Sequence, residues 1–193
     1  MIFGVDEAGR GPLAGPVVAA AVLLSKPRPS GLDDSKKLNA ARRAELETII
    51  KRRCQWAVGV VEVEDIDRLN IFGATMLAMT LAVDALSAKL GSEPLEVLVD
   101  GNVTPAGRRP EWRWPARAIV GGDAIEPCIS AASIIAKEHR DRMMYAAAQH
   151  YPHYGWEKNK GYGTPDHMAA LQAHGPTPLH RKSFAPVAQL LLL

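Results

Sequence analysis

The chain has 193 residues, of which 47% are hydrophobic, and this is enough for a domain with a real core. It shows no basic-then-apolar leader and no apolar run near the roughly 18 residues of a membrane span, so we expect a cytoplasmic protein that does not contact a membrane. Cys54 and Cys128 lack the spacing of a ligand pair, and we interpret both as ordinary small apolar residues.

The net charge is +2, from 23 basic and 21 acidic residues. If four of the acids form a metal site, as argued below, 17 acids remain against the 23 basic residues. A mildly basic body around an acidic centre suits a polyanionic substrate, although a solvated surface of mixed charge is the usual interpretation of such a balance.

The first half of the chain is predicted to alternate short strands with two helices. Ile2–Val5 and Val17–Leu24 are apolar runs separated by a turn rich in Gly and Pro, which favours a hairpin. Ala40–Arg53 is a predicted helix, and Trp56–Val63 is a third strand. A long helix follows over Asp65–Leu90, with Asp65 as a possible cap. The candidates for its buried face are Ile66, Leu69, Leu77, Leu81 and Leu86.

The second half adds two strands and two helices. Leu95–Val99 and Ala116–Val120 are predicted strands, each followed closely by glycine and an acid. Pro127–His150 and Thr164–His174 are predicted helices, since proline is favoured in a first helical turn and threonine is a good cap. We therefore predict an α/β fold over residues 1–193 as a single domain. It has a mixed five-stranded sheet flanked by helices, and a small helical extension over residues 150–193.

Carboxylates follow three of the predicted strands. Asp6, Asp100 and Asp123 each come after an apolar run with glycine close by, and α/β sheets place functional residues at the carboxyl ends of their strands. Together they would be costly to bury without cations, and Mg²⁺ and Mn²⁺ prefer carboxylate oxygens. Glu7 is harder to include, because adjacent residues of a straight strand point to opposite faces, but a bend at Ala8-Gly9 would let it join. The alternative is that these acids are turn formers and helix caps.

Eight separated segments are distinctive as strings of residues. They are Val5–Val17, Asp33–Leu38, Ile66–Ile71 with Ala74–Met76, Val99–Asn102, Ile129–Lys137, His139–Asp141, Asn159–Thr164 and His180–Phe184. In this order, over residues 3 to 187, they resemble ribonuclease HII. The resemblance implies a ribonuclease H-like fold and a metal-dependent endonuclease that hydrolyses the RNA strand of RNA–DNA hybrids. It also implies a cut on the 5′ side of single ribonucleotides in duplex DNA, which leaves 3′-hydroxyl and 5′-phosphate ends.

The same resemblance implies a catalytic quartet that holds Mg²⁺ or Mn²⁺, with two ions during catalysis. Its members map onto Asp6, Glu7, Asp100 and Asp123. Asp141 competes for the fourth place, but inside a helix an ion pair with a residue one turn away is its expected role. The family's usual Lys-Gly-Asp reads Gly121-Gly122-Asp123 here, so a positive charge near the metals is missing.

Sensing of the ribose is implied for two glycine-rich segments. An enzyme that separates RNA from DNA must contact the 2′-hydroxyl. Gly9-Arg10-Gly11 exposes backbone groups to a sugar, and Tyr162 can pack its ring on the sugar and reach the 2′-oxygen. Candidate phosphate contacts are the basic residues inside the motifs, with Lys137 and Arg181 preferred: Lys36, Lys37, Lys137, Arg140, Lys160, Arg181 and Lys182. Asn70 and Ser183 either contact the nucleic-acid backbone or make local hydrogen bonds.

The connection over residues 103–117 is longer than in many bacterial relatives and carries Arg108, Arg109, Arg113, Trp112 and Trp114. It either contacts nucleic acid through charge and stacking or is a solvated loop pinned by its tryptophans, and we favour the second interpretation. The histidines lack zinc-ligand spacing, so we interpret them as surface or structural residues. We expect packing or fraying, rather than the docking of a clamp-like partner, from the apolar tail 188–193.

Two other functions remain open at this point. Another metal nuclease of the same fold should lack the Gly-Arg-Gly and Gly-Tyr-Gly segments, both of which are present. A catalytically inactive hybrid-binding protein should lack at least one of the four acids, and none is replaced. We therefore expect a monomeric enzyme whose partner is nucleic acid.

Overall fold

Five strands form a mixed sheet in the computed structural model, which describes residues 1–33, 35 and 37–192. The strands are β1 (Ile2–Ala8), β2 (Val17–Leu23), β3 (Gln55–Val61), β4 (Glu96–Asp100) and β5 (Ala116–Ile119). Their order across the sheet is β3-β2-β1-β4-β5. Strands β1, β2 and β3 are antiparallel neighbours, whereas β4 and β5 run parallel to β1. The predicted mixed sheet is confirmed, and the carboxyl ends of β1, β4 and β5 meet at one edge.

Helices cover both faces of this sheet and continue beyond it at the carboxyl end of the chain. They are α1 (Ala40–Arg53), α2 (Val63–Leu90), α3 (Gly122–Ile125), α4 (Pro127–His150), α5 (Trp156–Asn159), α6 (Pro165–His174) and α7 (Ala185–Leu190). The predicted bounds of α1, α4 and α6 agree with the structure. The side chain of Thr164 caps α6 by accepting the His167 N–H, as the sequence predicted.

Helix α2 covers one face of the sheet. Alternate residues of the central strands, among them Phe3, Val5 and Ala19, are fully buried in the core that it closes, as the period of two in a strand requires. Gly59 of β3 permits a close approach, because a Cβ at that position would lie 2.2 Å from the carbonyl oxygen of Ala78 in α2. The helix therefore packs backbone to backbone against the sheet.

Helices α1 and α4 cover the opposite face. Ala20 and Val22 of β2 are buried there in one cluster with Leu46 of α1 and Ile134 of α4. Gly4 of β1 lets the first turn of α4 approach closely, since a Cβ at Gly4 would lie 2.2 Å from the carbonyl carbon of Cys128. The amino-terminal turns of α4 are thus fixed directly on β1, the strand that carries the first acids.

Helix α2 corrects one expectation from the sequence, because it is long and apolar enough to cross a membrane by composition alone. Its most apolar 18-residue window has a mean hydropathy of 1.6. However, 56% of that window is buried inside the protein, and the helix packs along the sheet. These are the properties of a core helix.

Two further details of α2 differ from the prediction. The helix begins at Val63, and the Asp65 carboxylate, rather than capping it, accepts hydrogen bonds from Arg68. Leu81, expected to be buried, is 42% exposed. Asn70 interrupts the helix with φ 58° and ψ 168°, and its side-chain oxygen accepts the Gly73 N–H. That bond is the local capping interaction that was one of the two alternatives for Asn70.

The tryptophans of the 103–117 connection are buried. Trp112 and Trp114 pack edge to face with ring centroids 5.1 Å apart, and the Trp112 indole N–H donates to the Trp114 carbonyl over 2.8 Å. Arg113 makes ion pairs with Asp84 and Glu93. The loop pinned by its tryptophans is confirmed, and neither indole is available to stack on a base.

The carboxyl-terminal helices pack on the segment that joins β1 to β2. Leu13 and Ala14 of that segment share a buried cluster with Trp156 of α5 and Leu171 of α6. The backbone N–H of Leu13 donates to the Gly161 carbonyl over 2.7 Å. The last part of the chain is therefore joined to the loop that follows the first acids.

Candidate active site

Three carboxylates converge at the carboxyl edge of the sheet. Asp6 lies in β1, Asp100 ends β4, and Asp123 follows β5. One oxygen from each can be chosen so that all three atoms lie within 4.8 Å of one another. Among the described residues this is the only such group of possible metal ligands, and the sequence analysis had selected all three of its members.

The third carboxylate reaches this edge by a route that the sequence did not predict. Strand β5 ends at Ile119, and the chain then passes through Gly121, whose φ of 65° is left-handed, into the single turn of α3. Asp123 lies in that turn, and its backbone N–H donates to Oδ1 of Asp100 over 3.3 Å. A left-handed glycine followed by one helical turn therefore directs the acid back towards β4.

Glu7 is positioned differently from the three aspartates. Regular pairing between β1 and β2 continues through Glu7 opposite Ala19 and Ala8 opposite Val18, and the strand ends there, before the left-handed Gly9 with φ 98°, as the sequence predicted. Glu7 lies outside the group of three acids, but it borders the same surface cavity as Asp6. Nη1 of Arg10 lies 3.4 Å from Oε1 of Glu7, an ion pair that holds the carboxylate at the rim.

The acids repel one another electrostatically. Burial raises the pKa of Asp6 well above its ordinary value, and the negative charges of Glu7 and Asp100 raise it further. Burial also raises the pKa of Glu7, against the effect of the Arg10 guanidinium, and the charge of Asp100 adds to the increase. A cluster of this kind is stabilised by a cation, because positive charge at the centre removes both the repulsion and the unfavourable burial.

Two serines that the sequence analysis did not single out support Asp6. The Ser133 hydroxyl hydrogen-bonds to the Asp6 carboxylate, and the hydroxyl oxygens of Ser35 and Ser133 lie 2.8 Å apart. The spacing of residues in the sequence contained a signal for Ser133. Ser133, Lys137 and Arg140 recur at intervals of four and three residues, which places them on one face of α4, below β1.

A cavity of about 350 Å³ joins the acids to the predicted ribose-sensing residues. It is bordered by Asp6, Glu7, Ala8, Gly9, Arg10, Gly11, Ser35, Ser133, Lys137, Arg140 and Tyr162. Tyr162 is 46% exposed, and a Cβ on Gly11 would lie 3.3 Å from Cε1 of its ring. The ring and the Gly-Arg-Gly backbone thus face each other beside Asp6 and Glu7, and these are the two segments for which the family resemblance implied ribose sensing.

The basic residues predicted to contact phosphate divide into two groups. Lys137 borders the cavity and pairs with Asp141 over 2.8 Å, which confirms the helical ion pair expected for Asp141. The prediction that Arg181 and Arg140 contact phosphate is wrong. They are only 0% and 1% exposed, and their guanidinium groups donate to backbone carbonyls. A side chain buried in this way cannot reach a phosphate. Lys36 lies outside the described residues.

Ser183 is engaged locally rather than free for a phosphate. Its backbone N–H and its hydroxyl both donate to Oδ1 of Asp67, over 2.8 and 2.6 Å, and the Lys182 N–H donates to Oδ2 of the same carboxylate. These bonds attach the carboxyl-terminal segment to the first part of α2. They are the local hydrogen bonding that was the second alternative for Ser183.

Comparison with known proteins decides the family. The family model for Ribonuclease HII matches residues 3–187. The chain belongs to the ribonuclease HII family. It is 80% identical to a ribonuclease HII of Novosphingobium aromaticivorans over 99% of this chain and 98% of that one, and 69% identical to one of Erythrobacter litoralis over 97% and 89%. The chain is therefore a metal-dependent ribonuclease H that acts on nucleic acid.

Solved structures of ribonucleases H resemble this fold. Ribonuclease H2 from Pyrococcus horikoshii superposes with a TM-score of 0.77 at 25% identity, over 98% of this chain and 96% of that one. Ribonuclease HII from Archaeoglobus fulgidus, solved in a complex with PCNA, gives 0.75 at 28% identity, over 94% and 93%. A ribonuclease HIII in complex with Mn²⁺ gives 0.72 at 20% identity, over 99% and 69%, and this last likeness concerns the fold alone.

Proposed function

We propose that this ribonuclease H cuts the phosphodiester on the 5′ side of a ribonucleotide, in RNA–DNA hybrids and at single ribonucleotides embedded in duplex DNA. The products would carry a 3′-hydroxyl and a 5′-phosphate. The observation that carries the proposal is the single cavity shared by Asp6, Glu7, the Gly9-Arg10-Gly11 backbone and Tyr162. The residues that we propose contact ribose and two of the carboxylates border one cavity, which supports binding of a single nucleotide by both.

We also propose which residues hold the metal. Asp6, Asp100 and Asp123 offer converging oxygens within 4.8 Å of one another, and Glu7 borders the same cavity. An all-carboxylate set fits Mg²⁺ or Mn²⁺, which prefer hard oxygen ligands. The raised pKa of buried Asp6 supports the fit, because these acids are poorly stabilised without a cation. When bound, two such ions would supply the Lewis acidity and positive charge that phosphodiester hydrolysis needs.

The protein's own groups would position the substrate around this centre. The Ser133 hydroxyl holds the Asp6 carboxylate, and the Glu7 N–H donates to Oδ1 of Asp6 over 2.7 Å, so the orientation of that acid is set before substrate binds. Gly11 lies beside the Tyr162 ring, where a Cβ would be 3.3 Å from Cε1, so a sugar would approach the backbone there and pack on the face of the ring. Lys137, beside the acids, would contact a phosphate. No protein nucleophile is required.

The test is cleavage of a DNA duplex that carries one ribonucleotide, in Mg²⁺ or Mn²⁺, with the ends of the products mapped. Wild type should cut at one position and leave a 3′-hydroxyl on the upstream fragment. Asp6→Asn and Asp123→Asn should each abolish cleavage, whereas the matched control Asp65→Asn, in an exposed ion pair with Arg68, should not change it. Full activity in both site variants would refute the assignment of the acids.

Three finer points are part of the same proposal. Either ion could serve, and metal titration of the cleavage rate would rank them. We propose that the protein acts as a monomer in the cytoplasm, which sedimentation and cell fractionation would test. The exposed apolar tail, with Leu191 at 51% and Leu192 at 86% exposure, follows α7 and is not required for this mechanism.

A further inference from the structure

Arg140 and Arg181 are buried cations that the mechanism does not use directly. Their exposures are 1% and 0%, and among the described residues no carboxylate oxygen lies within salt-bridge distance of either. Asp141 stabilises the charge of Arg140 and Asp67 that of Arg181 only from beyond that distance, and a charge buried in this way is costly unless its donors are satisfied. The acceptors of their hydrogen bonds therefore indicate which parts of the chain the two side chains hold in place.

The Arg181 guanidinium binds most of the carbonyl oxygens of one short backbone segment. Its three nitrogens make six hydrogen-bond contacts of 2.6 to 3.2 Å, all to carbonyl oxygens of the segment that joins β1 to β2, so the two N–H groups of Nη2 are shared among three acceptors. The acceptors are Gly9, Arg10, Pro12, Gly15 and Pro16. This segment has two left-handed glycines, at positions 9 and 15, and two prolines, so it cannot satisfy its own carbonyls as a helix or strand would.

Arg140 joins that segment to the loop of Tyr162. Its Nε donates to the Pro16 carbonyl over 2.9 Å and its Nη2 to the Ala14 carbonyl over 3.0 Å. Its Nη1 donates to the Lys160 carbonyl, also over 3.0 Å. The guanidinium also fills the space beside Gly9, where a Cβ would lie 2.1 Å from its Nε. One planar group therefore sets the distance between the loop that carries Tyr162 and the loop that follows the acids.

We infer that Arg140 and Arg181 are positioning residues for ribonucleotide recognition. This inference rests on the proposed function. The two side chains hold the Gly9-Arg10-Gly11 backbone against the Tyr162 ring at the spacing that admits a ribose beside the acids. They act through the backbone: Arg181 does not border the cavity, and Arg140, which does, donates its three hydrogen bonds to backbone carbonyls. The planar fork of five donors is essential to this task, and an ammonium, with three donors on one atom, cannot reproduce it.

The experiment compares Arg181→Lys and Arg140→Lys with wild type in single-turnover cleavage. Two duplexes are used, one with a single ribonucleotide and one with a 2′-fluoro nucleotide, whose 2′ group cannot donate a hydrogen bond. We expect each variant to cut the ribonucleotide about 10- to 100-fold more slowly. The ratio of the ribonucleotide rate to the 2′-fluoro rate should also fall, because the displaced loops would no longer distinguish the 2′-hydroxyl. A variant that only folds less well would lose both rates equally and keep the ratio. Mn²⁺ affinity, measured by calorimetry, should remain within about twofold of wild type, since the acids are untouched.

The matched control is Arg142→Lys, on the same helix. Arg142 donates two hydrogen bonds to the Glu47 carboxylate, over 2.7 and 2.8 Å, and has no bond to either loop. It should leave both rates and their ratio unchanged. If wild type itself did not cut the ribonucleotide duplex, the proposed function would fail, whereas normal discrimination in both lysine variants would overturn only the positioning role. If both variants lost cooperative thermal unfolding, the arginines would be needed for folding, and the positioning inference would be rejected.

Discussion

The acidic edge of the sheet and the two loops that carry Gly9-Arg10-Gly11 and Tyr162 lie side by side, but they are held in place by different means. Two of the acids, Asp6 and Asp100, are placed by strands that pair regularly with their neighbours in the sheet. The loops over residues 9–16 and 159–163 have no such framework. They are held by two buried guanidinium groups and by packing from the end of the chain.

This difference has an energetic consequence. The acids destabilise the metal-free fold locally, because burial and mutual repulsion raise the pKa of Asp6 and Glu7. Burial also lowers the pKa of Arg140 to about 10 and that of Arg181 to about 9, so burying these two charges is costly as well. Removing either arginine should still reduce stability, because each hydrogen bond from a charged donor is worth about 1.5–3 kcal/mol and the buried carbonyls would lose their partners. Changes to the first region should therefore reduce activity while sparing or raising stability, and changes to the second should reduce both.

The largest effect is expected from breaking the acidic edge at Asp100. Asp100→Asn should lower the cleavage rate at least about 1000-fold, because an amide is a much weaker ligand for a hard cation. The same change keeps the side-chain oxygen that accepts the Asp123 N–H and removes one repelling charge, so the metal-free protein should melt at a higher temperature than wild type. Calorimetry with and without Mg²⁺ measures this, and a lower melting temperature in the absence of metal would contradict the repulsion argument.

Breaking the loop region should cost stability first. Gly9→Ala places a methyl group at a left-handed φ of 98°, and its Cβ would lie 2.1 Å from Nε of Arg140. We expect a loss of about 3 kcal/mol in the free energy of unfolding by urea, from backbone strain and displacement of the guanidinium together. Gly107→Ala is the matched control, because Gly107 is also left-handed but has nothing within 4 Å of the new Cβ. Equal losses in the two variants would mean that the contact with Arg140 contributes nothing.

The support behind the Tyr162 loop should depend on pH. The Nε2 atoms of His167 and His180 lie 3.0 Å apart in a buried site, and burial lowers the pKa of His180 to about 4. The indole N–H of Trp156 also donates to Nε2 of His167, and Nδ1 of that ring lies 2.8 Å from the Tyr162 carbonyl. The neutral network is thus fixed between the carboxyl-terminal segment and the Tyr162 loop.

The sign of the pH effect follows from the direction of this shift. The unfolded chain takes up a proton near pH 6.5, and the folded chain resists it until about pH 4. The stabilisation is therefore complete above pH 6.5 and decreases as the pH falls from 6.5 to 4, by at most about 3 kcal/mol. Urea unfolding of His180→Gln against wild type isolates this contribution. A stability difference between the two proteins that did not change over this range would rule it out.

The smallest effect should come from Tyr162, the exposed side chain that we propose contacts the ribose. Tyr162→Ala removes a ring that is 46% exposed, so the free energy of unfolding should change little. Cleavage at a ribonucleotide should fall about tenfold, because the sugar loses its packing surface. Tyr162→Phe separates the ring from the hydroxyl. Normal cleavage by the alanine variant would show that the ring does not sense ribose.

The fold was largely predictable from local patterns. Strands such as β2 are apolar runs between Gly and Pro turns, and α4 and α6 begin at Pro127 and Pro165, where proline is favoured. The predicted convergence of Asp6, Asp100 and Asp123 also followed from the sequence, because the carboxyl ends of neighbouring parallel strands meet at one edge. These features depend on residues close together in the chain, and a sequence displays them directly.

The errors have one physical cause, which is that burial is a property of contacts between distant segments. Arg181 is of a residue type that often binds phosphate. Only its packing against a segment about 170 residues earlier makes it a hydrogen-bond donor to backbone carbonyls. The composition of α2 satisfies a membrane-span criterion, and only its packing on the sheet identifies it as a core helix. Ser133 is an ordinary helix residue until α4 is placed below β1.

The sequence by itself thus determined the order of the elements, the acids at the ends of the strands and the family. The tertiary structure decided which basic side chains border the cavity and which are buried and bound to backbone carbonyls. It also decided that the Tyr162 ring lies against Gly11, 151 residues away in the chain. The reason is that local patterns specify backbone conformation, whereas the surroundings of a long side chain depend on where the whole chain closes around it.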